Sequence, residues 1–214
     1  MIVNIIDELK NYEGTAIVEG IAMMTYNPSI GRVLEKGGVE KFIELMVDIE
    51  RQLEGIGSQE EFNNFHDSVV NYVIEKIKTV KSEKPSYGQA QKPINVFLKV
   101  YVDWASRPTL EISNKLRKYL HVPLDSILMR MVKEKFPDEH RKYVVGIYDL
   151  IQKSIRENLI KQGEESYLHR IVNPSEFSLS GIIFKEMYYA WQKCMRAIYP
   201  EKPILLDIFW SLNR

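Results

Sequence analysis

The chain has 214 residues, 45% hydrophobic and 27% charged, enough apolar material for a buried core and too much for a disordered chain. Its one cysteine, Cys194, excludes an internal disulfide and a cysteine-rich zinc or iron–sulfur site. The formal charge of +0 hides an asymmetry: residues 1–80 carry 7 Lys and Arg against 14 Asp and Glu, and residues 81–214 carry 22 against 15. An acidic half followed by a basic half reads either as solvated helix faces or as the mark of a polyanionic partner.

The N-terminal segment, residues 1–14, lacks a basic stretch followed by a long apolar run. No stretch approaches the ~18 apolar residues of a membrane span. The expectation is a cytoplasmic chain with no membrane partner. Gly14–Met24 fits a helix as well as a strand. Val39, Phe42, Ile43, Met46, Ile49 and Leu53 mark one face of a helix over 39–55. Phe62, Phe65, Val69, Val73 and Ile77 mark another over 59–80, with Ser58 and Glu61 forming a capping box ahead of it. Lys84–Gly88 breaks the chain. A tight turn at Gly88 then leads into a helix at about 91–105 that opens around Lys92-Pro93, since proline suits a first helical turn. Arg107-Pro108-Thr109 is the next break, with Thr109 a plausible N-cap. His121–Asp125 precedes a short helix from Ser126, and Pro137-Asp138 precedes a long one over about 139–162. Asn173-Pro174-Ser175 introduces a helix over about 177–198, and Pro200 and Pro203 frame a last short one. The reading is a single all-α domain over 1–214, an irregular bundle of about nine helices.

Two segments bear on chemistry. In the helix after Gly88, Ile94, Phe97, Leu98, Tyr101 and Ala105 form the stripe expected to be buried. Lys92, Asn95, Lys99 and Asp103 form a second, polar stripe. A lysine at a helix start faces the positive end of the dipole, and partial burial also disfavours an ammonium; both favour the neutral amine of a nucleophile. The same spacing also fits two solvated lysines, with Lys99 pairing to Asp103 one turn on. The second segment is His121–Arg130. Asp125 falls where a helix begins, so it reads as an N-cap that a cleft could also use. His121, four residues earlier, could approach the same cleft or be a structural histidine. The four histidines are scattered without metal-ligand spacing, and no phosphate loop or G-x-S-x-G elbow occurs, so no metal is expected.

A turn, a lysine opening a helix and a later Pro-x-Asp opening another resemble the helix-hairpin-helix DNA glycosylase superfamily. Gly88-Gln89-Ala90-Gln91-Lys92-Pro93-Ile94-Asn95 is similar to its hairpin G-x-G-x-K-T-A-N. Pro123-Leu124-Asp125-Ser126-Ile127-Leu128-Met129-Arg130 is similar to its aspartate motif. The archaeal 8-oxoguanine glycosylase branch resembles the chain further: Lys92 and Lys99 match two lysines of its K-T-x-x-F-x-x-K-M run, and Pro203–Leu212 its tryptophan-containing ending. The chain also resembles bacterial and archaeal proteins with G-x-A-Q-K-x-x-N-x-x-x-K and H-x-P-x-D motifs. It departs from the glycosylases at Ala90, where the second hairpin glycine stands, at Pro93, where a threonine stands, and at Val96, where the archaeal branch has an aromatic residue.

The resemblance implies an all-α helix-hairpin-helix fold and a DNA glycosylase or AP lyase acting on an oxidised purine in double-stranded DNA, with no cofactor. It implies Lys92 as nucleophile and Asp125 as stabiliser of the cationic transition state. Gln91, Asn95, Lys99, His121 and Trp210 would be substrate-binding. Trp191 is an alternative pocket residue, although its helical spacing with Met187 fits core packing. The rival reading is a catalytically silent DNA- or protein-binding module, of the kind a defence system employs.

Overall fold

Capping residues set the helix starts in the computed structural model, which describes residues 2–26, 33–162 and 177–208. Nine α-helices occur among the described residues: α1 (Ile2–Tyr26), α2 (Gly38–Glu50), α3 (Gln59–Lys76), α4 (Tyr87–Leu98), α5 (Leu110–Leu116), α6 (Ser126–Lys135), α7 (Pro137–His140), α8 (Gly146–Gln162) and α9 (Lys185–Ile198). Ser58 caps α3 in a full capping box: its side chain accepts from Glu61 N, and the Glu61 carboxylate accepts from Ser58 N at 2.9 Å. Thr109 caps α5 by accepting from Ile112 N, and Asp125 caps α6 by accepting from Leu128 N. Among the described residues no strand is present beyond an isolated antiparallel bridge between Leu34 and Thr79, and no helix is long and apolar enough to cross a membrane. The all-α reading holds among the described residues.

Several boundaries differ from the sequence expectation. α4 begins at Tyr87, not around Lys92-Pro93, and Gly88 lies inside it. Ser86 Oγ accepts from Gln89 N at 3.2 Å, and Gln89 Oε1 accepts from Ser86 N at 2.9 Å. This is a reciprocal Ser-x-x-Gln cap that starts the helix one turn early. α3 ends at Lys76 because residues 77–80 leave the helix to meet 33–35: Glu35 N donates to Lys78 O and Val80 N to Val33 O. α9 begins at Lys185 instead of 177, because 178–182 is spent on a turn in which Ser178 Oγ accepts from Gly181 N. The break at Asn173-Pro174-Ser175 lies outside the described residues. Two π-helical turns, Lys99–Trp104 and Arg141–Val145, interrupt helical runs the sequence presents as continuous.

The chain divides into two compact units: Met1–Pro85 with Ala90–Leu120, and Ser86–Gln89 with His121–Arg214. This division does not follow the change of charge near residue 80. In the first unit α1 packs on α2 and α2 on α3, and the π-turn 99–104 rests on α1 and α5. Its core is a run of rings: Tyr26 tilts against Phe42 at 5.4 Å, Phe42 meets Phe97 edge-on at 6.5 Å, and Phe97 stacks on Tyr101 at 5.3 Å. In the second unit α9 packs against α7, the π-turn 141–145, α8 and the 3-10 turn Pro203–Ile208. Trp191 is 1% exposed at its centre, with His140 at 5.2 Å and its Nε1 donating to Tyr148 Oη at 3.0 Å. Trp191 is therefore core, as its spacing indicated. Cys194 is also fully buried there, and burial with the Glu139 charge pushes its thiol up to about 12.

Candidate functional site

α4 is buried along almost its whole length, yet it is not an apolar helix. Ile94, Phe97, Leu98 and Tyr101 are buried as expected. Ala105 is exposed, because the wider π-turn adds a residue to the ring closure and rotates whatever follows it off the stripe. The polar stripe is buried too. Gln91 is 0% exposed, Asn95 1%, Lys99 7%, Lys92 9% and Asp103 9%. The reading of Lys92 and Lys99 as solvated surface lysines is thereby excluded. Buried lysines are rare, and two on one stripe of one helix make an unusual concentration. Lys92 sits mid-helix, so the end-of-helix dipole does not act on it. Its burial is the feature that remains.

The amides beside Lys92 are ordered by a histidine on α3. His66 is fully buried, stacked at 6.2 Å on Phe62. Its Nε2 lies 2.8 Å from Asn95 Oδ1, and Asn95 Nδ2 donates in turn to Gln91 Oε1 at 2.5 Å. Asn95 Oδ1 can only accept, so His66 carries its proton on Nε2. The chain His66–Asn95–Gln91 therefore has one polarity, and it fixes both amides on the stripe that carries Lys92.

Burial pushes His66 down from 6.5 to about 4, against an opposing upward pull from its Asn95 hydrogen bond and the Asp67 charge. The folded value lies below the unfolded one, so the unfolded chain binds the extra proton between them. The stability contribution is complete above pH ~6.5 and falls as pH drops towards ~4, by on the order of 3 kcal/mol over the window. Urea unfolding at pH 7 and pH 5 is expected to show a loss on acidification about 2 kcal/mol larger in wild type than in His66→Gln. Equal losses in the two proteins would remove His66 from the account.

At the far end of the stripe, Asp103 and Arg117 form a partly buried ion pair, Nε to Oδ1 at 3.1 Å, off the line of a hydrogen bond. The same guanidinium donates to Asp103 O at 3.1 Å and Ser106 Oγ at 2.9 Å. Asp103 is thus met by a partner from α5's C-cap, and Lys99 Nζ lies 4.5 Å from the centroid of the Trp104 ring.

In the second unit the His121–Asp125 segment is held by α9. Gln192 Oε1 accepts from Val122 N and Gln192 Nε2 donates to Val122 O, both at 2.9 Å. His121 is 2% exposed, with Nδ1 2.9 Å from Tyr188 Oη and its ring edge-on to Tyr188 and Tyr189. Asp125 is half-buried, its Oδ1 accepting from Leu128 N at 2.8 Å. The structure thus gathers Gln91, Lys92, Asn95 and Lys99 in the first unit, and His121 and Asp125 in the second. Trp210 lies outside the described residues. His66 was missed by the sequence reading; its place on the buried face of α3, one residue from Phe65, was the available signal. Arg117 and Trp104 were missed as well. Among the described residues no group of three or more His, Cys, Asp or Glu could hold a metal ion.

Compared with models of protein families, with curated proteins and with solved structures, the chain finds no match.

Proposed function

We propose that the chain is a DNA glycosylase or AP lyase of the lysine-nucleophile type, acting on an oxidised purine. One observation carries the reading: Lys92, the residue that matches the family's nucleophile, is buried on a stripe whose other members are Asn95, Lys99 and Asp103, with Gln91 buried beside it. Ordered amides and a second cation suit a site that receives a polar ligand. The proposal rests on the lysine and not on a phosphate-gripping hairpin, since residues 88–91 are helical.

In this mechanism Lys92 Nζ attacks the sugar C1′. The C1′–base bond breaks, and the base leaves with its electron pair and takes a proton. The C1′–O4′ bond then breaks, O4′ keeps the electron pair and takes a proton from the nitrogen, and a Schiff base between Lys92 and C1′ results. By the resemblance, Asp125 is the carboxylate that would offset the positive charge developing on the sugar.

Borohydride trapping tests it, with duplexes carrying 8-oxoguanine, uracil or an abasic site. Wild type is expected to give a covalent adduct, and Lys92→Ala none. Asp125→Asn is expected to slow trapping by about 10²-fold while leaving stability unchanged, because asparagine caps a helix as well as aspartate does. No adduct from folded protein on any of these duplexes would overturn the lysine mechanism and leave the silent binding module.

A further inference from the structure

We propose that Trp104 is a stacking platform for an unpaired base of the DNA strand, a role that rests on DNA being the ligand proposed above. Tryptophan is a residue that folded chains largely bury. Trp191 follows that habit at 1% exposure, whereas Trp104 leaves 63% of its surface exposed.

Trp104 is exposed without being loosely held. It ends the π-turn Lys99–Trp104, a distortion that concentrates at functional sites. The residue before it, Asp103, is held through both its side chain and its carbonyl by Arg117, and Ser106 is held by the same guanidinium. Ala105 N donates to Val100 O at 2.9 Å, and Arg107 N to Tyr101 O at 3.0 Å. An aromatic side chain on a fixed backbone loses little freedom when a partner settles on it.

The chemistry around the ring selects the partner. Lys99 Nζ stands 4.5 Å from the ring centroid, so a cation accompanies the indole. Residues 90–120 carry 6 Lys and Arg against 2 Asp and Glu. A flat aromatic face with a cation against it, on a basic segment of the chain, fits a strand whose bases stack and whose phosphates are anionic. Lys99 also belongs to the stripe that carries Lys92, two helical turns away, which places the platform beside the proposed chemistry rather than at an unrelated surface.

The test is equilibrium binding by fluorescence anisotropy, using a fluorescein-labelled single strand and a labelled duplex with an abasic site. All proteins carry Lys92→Ala, so that no covalent step enters the signal. Trp104→Ala is expected to weaken binding about tenfold, and Trp104→Phe by no more than about threefold. The salt dependence should stay the same in both, because stacking releases no counterions. The substitution is at an exposed side chain, so the fold is not at risk. Undiminished binding by Trp104→Ala overturns the platform, whatever the trapping experiment gives. Absence of DNA binding in the parent protein overturns it as well. A tenfold loss in a protein whose wild type traps no adduct keeps the platform and removes only the glycosylase chemistry.

Discussion

Arg117→Ala is expected to destabilise the first unit by about 2–3 kcal/mol, read as a shift in the urea midpoint at unchanged slope. The Asp103 side chain is only 4% exposed, and the Arg117 guanidinium, at 26%, faces it at 3.1 Å. Removing one member of such a pair leaves a buried charge facing a weaker environment, which costs up to ~5 kcal/mol for a fully buried pair and less for one with an exposed partner. Two further hydrogen bonds go with the guanidinium, to Asp103 O and Ser106 Oγ. Ser106 has φ of 54°, a left-handed conformation that serine adopts only when its surroundings hold it. Adding Asp103→Asn to Arg117→Ala is expected to recover about half of the loss, since a neutral amide is less costly to bury without the guanidinium. A double variant as unstable as Arg117→Ala would assign the cost to the lost hydrogen bonds alone. A single variant within ~0.5 kcal/mol of wild type would show that the pair contributes nothing measurable.

Gly88→Ala should lower stability by about 2–3 kcal/mol, although alanine is the better helix former by up to ~1 kcal/mol. Gly88 lies in the first turn of α4, and its N–H donates to Ile182 O at 2.9 Å. A Cβ built there would collide with the backbone oxygen of Leu179 and fall 2.7 Å from Ile182 Cβ. Neither atom is the free end of a side chain, so relief requires the 179–182 turn to retreat. That retreat would break the Gly88–Ile182 bond and the one from Ser86 Oγ to Leu179 O at 2.8 Å. Gly14→Ala is the control: nothing lies within 4 Å of a Cβ added there, in the middle of α1. It should raise stability by about 0.5–1 kcal/mol. The same change of one hydrogen to a methyl is expected to act with opposite signs at the two positions, and thermal unfolding compares them directly. A loss at Gly14 or a gain at Gly88 would refute the close-approach account.

Much of the fold was legible because its signals are local. Ser58 with Glu61, Thr109 and Asp125 each cap a helix within three residues of themselves, and a reader of the sequence needs nothing else to place them. Ile94, Phe97, Leu98 and Tyr101 declare the buried face of α4 by spacing alone. The start of α4 was misplaced although Ser86 and Gln89 form a readable cap, because glycine and proline were taken as punctuation. Here glycine serves close packing and Pro93 is carried inside the helix. The π-turns leave no local pattern, and one of them turns Ala105 out to solvent.

The candidate site was legible as a stripe and not as an environment. Spacing put Lys92, Asn95 and Lys99 on one face, but whether that face meets water depends on what the rest of the chain lays over it. His66 reaches Asn95 across 29 positions of sequence, and Arg117 reaches Asp103 across 14. Neither partner lies on the helix whose stripe it meets. The value of His66 to the site, as the group that orients two amides, is therefore a tertiary fact.

The chain's sole thiol has a further use. Cys194 is sealed in the second unit with its ionisation pushed up to about 12, so at neutral pH it is nearly all in the unreactive form. Alkylating reagents can reach it only when the wall of α9 opens. The speed of its labelling then counts those openings, and the first unit, with no cysteine, contributes no signal to the count. A dye attached through a second cysteine introduced on the exposed surface would go to that position alone, so the native chain is already a labelling scaffold.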